Sequence, residues 1–255
     1  NVESVVGKNA FFDQVGVATA VKRTTRHADT LQVDTPHSRR RVSLVDYEYA
    51  DLIDNQDKVR TLIDPTSSYA IAAAYALGRA VDDEIIAAVT GTAYTGETGS
   101  TSTTFTAGNA ITESGSDGLT LAKLRNAKQI LDSNSVDPSI PRFIIVAPVA
   151  VSDLLAVTQA TSSDYASVKA LVQGEIDTFM GFKFVVSNRL SKTGNLRKLL
   201  VYAQDGMLLA LGQDIVTRID ERSDKGYATQ VYCSQSVGAT RMEEEKCVSI
   251  ESYEA

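Results

Sequence analysis

The residues equipped for chemistry are few and badly placed for it. The chain has two histidines, His27 and His37, and two cysteines, Cys233 and Cys247. A serine nucleophile needs one of those imidazoles as its base and a sharp turn to present the hydroxyl. No Gly-x-Ser-x-Gly stretch supplies that turn. A metal centre needs three or four His, Cys or carboxylate ligands at short spacings, and both histidines stand in a charge-rich N-terminal stretch far from either cysteine. Solvated loop histidines are the plainer reading. Phosphate binding finds no Gly-x-x-x-x-Gly-Lys-Ser/Thr loop and no Gly-x-Gly-x-x-Gly after a strand. Gly91, Gly96 and Gly99 are spaced wrongly and follow a helix. Asp82, Asp83 and Glu84 are adjacent on that helix, so their carboxylates point in different directions. They suit ion pairs with a neighbour better than a metal clamp.

The tripeptide Lys192-Thr193-Gly194 matches one box of the serine β-lactamases, but their Ser-x-x-Lys box is absent. Between two strands it reads as turn chemistry. The run Arg39-Arg40-Arg41 invites nucleic acid, yet acidic residues follow it, and contact with protein is the better reading. A net charge of −7 argues against a dedicated DNA-binding surface, which needs clustered Lys and Arg. With 43% hydrophobic and 22% charged residues, 255 residues can bury a substantial core. No apolar run approaches the ~20 residues of a membrane span and no secretory signal stands out. The expectation is a soluble chain made in a reducing cytoplasm, with Cys233 and Cys247 as buried thiols unless a hairpin joins them.

The elements that must position these residues mix helix and strand without a regular βαβ rhythm, which predicts an α+β fold. Residues 1–15 read as an extended arm anchored by Phe11 and Phe12. "TLQVDT" and "RVSLVDYEYA" predict a long hairpin with its polar tip at Pro36 to Arg40. Its charge is segregated: Lys22, Arg23, Arg26, Arg39, Arg40 and Arg41 precede Asp46, Glu48, Asp51, Asp54 and Asp57. Such a ribbon has little core of its own and needs something to lie on. Asp64-Pro65 starts a helix that runs to Val89 and stops at Gly91, roughly 37 Å at 1.5 Å per residue. Tyr75, Gly78, Val81, Asp82 and Ile85 fall on or near one stripe of it. A Gly/Ser/Thr loop or exposed hairpin fills 90–118. "LTLAKLRNAKQIL" follows as a helix and "RFIIVAP" as a buried strand. Then come the helix "VSDLLAV", the strands "GFKFVVSN" and "KLLVYA", and an alternating C-terminal third ending in a hairpin closed near "EEEK".

That order of parts, with "MGFKFVVSNRL" and "GATRMEEEKCVSIES" as its most specific pieces, resembles the major capsid proteins of tailed bacteriophages, the Hong Kong 97-type fold. The likeness spans essentially the whole chain. It implies an N-terminal arm at 1–15, an E-loop at 16–55, and a P-domain at 56–118 with its spine helix at 65–89. It further implies an A-domain at 119–224 and a return to the P-domain at 225–255. It implies no cofactor, no metal, no catalytic residue and no membrane partner. The implied function is a coat protein, assembled in the bacterial cytoplasm into hexamers and pentamers of a virion that encloses double-stranded DNA. Portal, scaffolding and decoration proteins are the implied partners. Candidate contacts between subunits are Lys22, Arg23, Arg26, His37, Arg39, Arg40, Arg41, Asp46, Glu48, Asp82 and Asp83. Certain members join subunits through a Lys–Asn bond promoted by a Glu; no motif pairs Lys22 with an Asn, so that cross-link is not carried over. An encapsulin-like nanocompartment shares the fold and is the nearest alternative. A hydrolytic enzyme is the remote one.

Overall fold

The computed structural model describes residues 1–16, 18–27, 29–30, 32–54, 56, 66–113, 115–157 and 178–254. In chain order the elements are β1 (Val2–Ser4), β2 (Asn9–Val15), β3 (His37–Ser43), β4 (Val45–Ile53), α1 (Thr66–Thr90), β5 (Ala93–Thr95), β6 (Thr101–Thr103) and β7 (Ala110–Ile111). Then come α2 (Leu121–Ser133), β8 (Arg142–Val146), α3 (Pro148–Val157), β9 (Thr178–Phe179), β10 (Phe182–Val186), β11 (Lys192–Thr193) and β12 (Leu196–Ala203). β13 (Met207–Arg222), β14 (Ala228–Arg241) and β15 (Cys247–Tyr253) complete the chain.

The main core surrounds a seven-stranded sheet ordered β7-β15-β12-β8-β10-β9, with β11 folded back on β12. Ile144, Ile145 and Val146 are buried in succession, so both faces of β8 are covered, as a run of apolar residues requires. Leu124, Ala127 and Leu131 of α2, Ala150 and Leu154 of α3, and Val89 at the end of α1 join this core. Thr120 caps α2 by accepting the Lys123 N–H at 3.3 Å.

A second sheet, β1-β13-β14-β4, carries the first half of α1. Ala73 and Leu77 meet Ile53, Val231 and Cys233 there. A third sheet, β2-β3-β5-β6, is rooted on the second through Val42, which packs on Leu208 and Ala210. The chain passes from third sheet to second at the single residue Leu44. That crossing is tight: a Cβ on Gly238 would stand 2.4 Å from the Ser43 carbonyl oxygen.

Several sequence expectations change here. The hairpin strands are β2 and β3, paired from Asn9↔Ser43 to Val15↔His37. Arg39, Arg40 and Arg41 therefore lie in a strand, and the tip lies among residues 16–36. Of "TLQVDT", the described residues are in no strand. The residues of the expected arm form β1, parallel to β13 at Val2↔Leu209, and β2. β14 and β15 do not form a hairpin: they belong to different sheets, and the chain changes sheet at residues 242–246. Sheet membership likewise cuts across the divisions at 119–224 and 225–255, since β13 joins β14 and β15 returns to β12. The stripe read on α1 is partly wrong. Tyr75 is 66% exposed and Gly78 faces open space, while Ala73, Leu77 and Val89 face inward. An alanine-rich helix has small residues all round, so its period discriminates poorly. Asp64 and Pro65 lie outside the described residues, as does Asp57.

Candidate assembly surfaces

Three elements meet where the hairpin joins the body, and a cluster of ions holds the junction. Arg241, at the end of β14, is completely buried. One of its terminal nitrogens donates to the carbonyls of Val89 at 2.7 Å and Gly91 at 2.9 Å. The Val89 carbonyl is among those that the last turn of α1 leaves unpaired, and Gly91 follows the helix directly, where a cation also opposes the negative end of the helix dipole. Gly91 allows that turn to close: its N–H reaches the Ala87 oxygen at 2.9 Å, which any Cβ would foul at 2.6 Å. The Nε of Arg241 donates to Glu244 at 2.5 Å, and its guanidinium lies 5.4 Å from the Phe105 ring centre. The second oxygen of Glu244 takes Arg40 at 3.0 Å, and Arg40 also donates to the Met242 carbonyl. One carboxylate thus ties β3 to β14 and, through Arg241, to the end of α1.

Neighbouring bonds extend the junction. Lys246 donates to Asp205 at 2.5 Å and Glu243 at 2.8 Å; burial lowers its pKa, but those two bonds more than offset it. Asn109 and Asn134 donate to the carbonyls of Glu244 and Glu245. Arg41 lies 4.6 Å over the Tyr94 ring and so clasps β5 to β3.

The expected contact residues divide into those used within the subunit and those left on its surface. Arg40 is buried in the junction, and Arg41 is half-buried under β5. Arg39 pairs with Asp13 at 2.7 Å, a bond that raises its pKa. Asp83 pairs with Arg189, and Glu84 accepts the Tyr47 hydroxyl at 2.5 Å, pushing that phenol up to about 12. Glu48 takes the Tyr232 hydroxyl at 3.2 Å and stays exposed. Lys22, Arg23, Arg26, His37, Asp46 and Asp82 are exposed, with Arg23 donating to the Thr25 carbonyl. The sequence reading missed Arg241 and Glu244 as a pair, although both stand in "GATRMEEEKCVSIES".

No three His, Cys, Asp or Glu side chains among the described residues converge on a metal position. His37 shares an open concavity with Asp13 and Glu97, but Asp13 is committed to Arg39. A more apolar recess of about 200 Å³, lined by Ile85, Phe143, Tyr202 and Met207 among others, holds no carboxylate, imidazole or thiol. Lys192 and Thr193 form β11, and Gly194 opens the tight turn into β12. Both cysteines are free and buried, and burial raises the Cys247 thiol to about 12. No helix among the described residues is long and apolar enough to cross a membrane.

A long helix, a hairpin and an ion-locked root make up the described body of the subunit. The chain belongs to the phage capsid protein family, whose sequence pattern matches residues 1–254. The fold is of the Hong Kong 97 type. The capsid of cyanophage P-SCSP1u superposes with a TM-score of 0.72 at 17% identity, covering 100% of this chain and 86% of that one. The capsid of Ralstonia phage GP4 gives 0.73 at 12% identity over 99% and 85%. Mycobacterium phage Ogopogo gives 0.71 at 10% over 98% and 89%. No curated protein sequence matches. The protein is a major capsid protein of an icosahedral shell, located in the virion and associating with copies of itself.

Proposed function

We propose that this coat protein forms hexamers and pentamers in which the β2–β3 hairpin of each subunit reaches over its neighbour. The hairpin with its excursion serves as the E-loop, and α1 as the spine of the P-domain. The seven-stranded sheet with α2 and α3 serves as the A-domain. Lys22, Arg23, Arg26, His37, Asp46, Glu48 and Asp82 are the charged contacts, each exposed pair contributing about 0.2–1 kcal/mol. Weak contacts repeated over a shell allow errors to dissociate during assembly. The acidic chain encloses double-stranded DNA without gripping it, so the genome can be packed and released. It assembles in the bacterial cytoplasm with portal and scaffolding proteins, carries no catalytic activity and needs no cofactor.

The observation that carries this reading is the hairpin itself. Its root is fixed by Val42, Arg40 and Glu244, while residues 18–27 are all exposed. Replacing 18–34 by Gly-Gly keeps the Val15↔His37 rung and the Gly16 N–H to Pro36 bond. The shortened chain should fold with the parental unfolding midpoint yet give no capsomers by size-exclusion light scattering. Capsomers formed as readily as by the parent would contradict the reading.

A further inference from the structure

We propose that residues 18–24 of one subunit add as a strand to the open edge of β4 in the next subunit. The proposal rests on the hairpin reading above and names where the tip lands.

β4 is an edge strand. It pairs with β14 over nine residues without a register break, from Val45↔Val237 to Ile53↔Thr229, and no described strand lies on its other side. The Leu52 N–H takes the Asp51 carboxylate as its acceptor at 2.8 Å, which places that N–H on the side away from β14. Residues 46, 48 and 50 share its side, because strand backbone groups alternate direction. An edge of this kind invites another chain unless charge discourages it. Here the charge is all of one sign: "VDYEYADLID" holds Asp46, Glu48, Asp51 and Asp54 and no cation. Such an edge repels acidic strands and selects a basic one.

The tip supplies one. Residues 18–24, "ATAVKRT", belong to no helix or strand and are all exposed, Val21 at 56%. Lys22, Arg23 and Arg26 stand together, while Asp29 and Asp34 follow on the returning limb. As a strand, seven residues span about 23 Å, which the nine of β4 accommodate. Thr and Val suit a pleated edge. The other long edge, the far half of β13, is a poorer acceptor. Register shifts interrupt it between Leu211 and Val216, and Arg218 and Arg222 stand among its carboxylates.

Hydrogen exchange on assembled shells and on subunits dissociated from them tests the placement. Amides in 18–24 and the outward amides of β4 should gain at least tenfold protection on assembly. Reversing Asp46, Glu48 and Asp54 to Lys should lower the assembled fraction at least tenfold with the unfolding midpoint unchanged. Adding Lys22→Glu, Arg23→Glu and Arg26→Glu should restore it. Shells that form with no added protection at β4 overturn the strand addition and leave the hairpin reading standing. A parent chain that never associates overturns both.

Discussion

Replacing Arg241 by Met tests the ion cluster at the hairpin root. The side chain is fully buried, and its loss strips a donor from the Val89 and Gly91 carbonyls and one arginine from Glu244. Breaking a buried pair by removing one partner costs about 3–5 kcal/mol. An unpaired buried acceptor costs about 1–3 kcal/mol. The terms overlap, because Glu244 keeps Arg40 at 3.0 Å and the methionine fills part of the volume. A net loss of about 4 kcal/mol is the reasoned figure. At about 2–4 °C per kcal/mol for a chain of this size, the midpoint should fall by about 8–16 °C. Arg241→Lys should recover only part, since one ammonium cannot serve the helix end and Glu244 in the same geometry. Circular dichroism melts of the unassembled chain read the change. A midpoint within 2 °C of the parent would refute the claim that this cluster holds the junction.

Four further outcomes follow from single positions. Gly238→Ala should cost about 1–3 kcal/mol by overpacking, since its Cβ would sit 2.4 Å from the Ser43 oxygen. Gly78→Ala, in open space on α1, should instead gain about 0.5–1 kcal/mol, and urea melts of the pair check both signs. The Tyr47 phenol, raised to about 12 by its bond to Glu84, should ionise later than an ordinary tyrosine. Its stabilising contribution is complete below pH ~10 and is lost as pH rises toward 12; absorbance titration of parent and Tyr47→Phe reads it. Both thiols are buried and that of Cys247 is raised to about 12, so a disulfide-exchange reagent at pH 8 should label neither until denaturant is added.

The sequence was most legible where pattern and burial agree. The apolar spacing of Leu121, Leu124, Ala127, Ile130 and Leu131 predicted α2, and "RFIIV" predicted a strand covered on both faces. It misled where charge is used inside the fold. Arg39-Arg40-Arg41 reads as a run at a polar tip that meets another protein, yet within the subunit Arg40 is buried on Glu244 and Arg41 lies on Tyr94. Single-residue properties carry no hint of a partner some two hundred positions away. "EEEK" reads as a turn between paired strands because its acids look exposed. Glu244 instead pairs with the buried Arg241, and Glu243 with the half-buried Lys246, as the chain changes sheet. The outward stripe of α1 was hidden for the opposite reason: alanine packs on either side. The family likeness was legible because it depends on the order of elements, which survives errors in their pairing.

Negative-stain microscopy of the purified chain, with light scattering on the same sample, tests the central claim most directly. Closed shells, or rings of five and six subunits, are the predicted result. A monodisperse monomer at every salt and pH, even beside a co-expressed scaffold, would contradict the account.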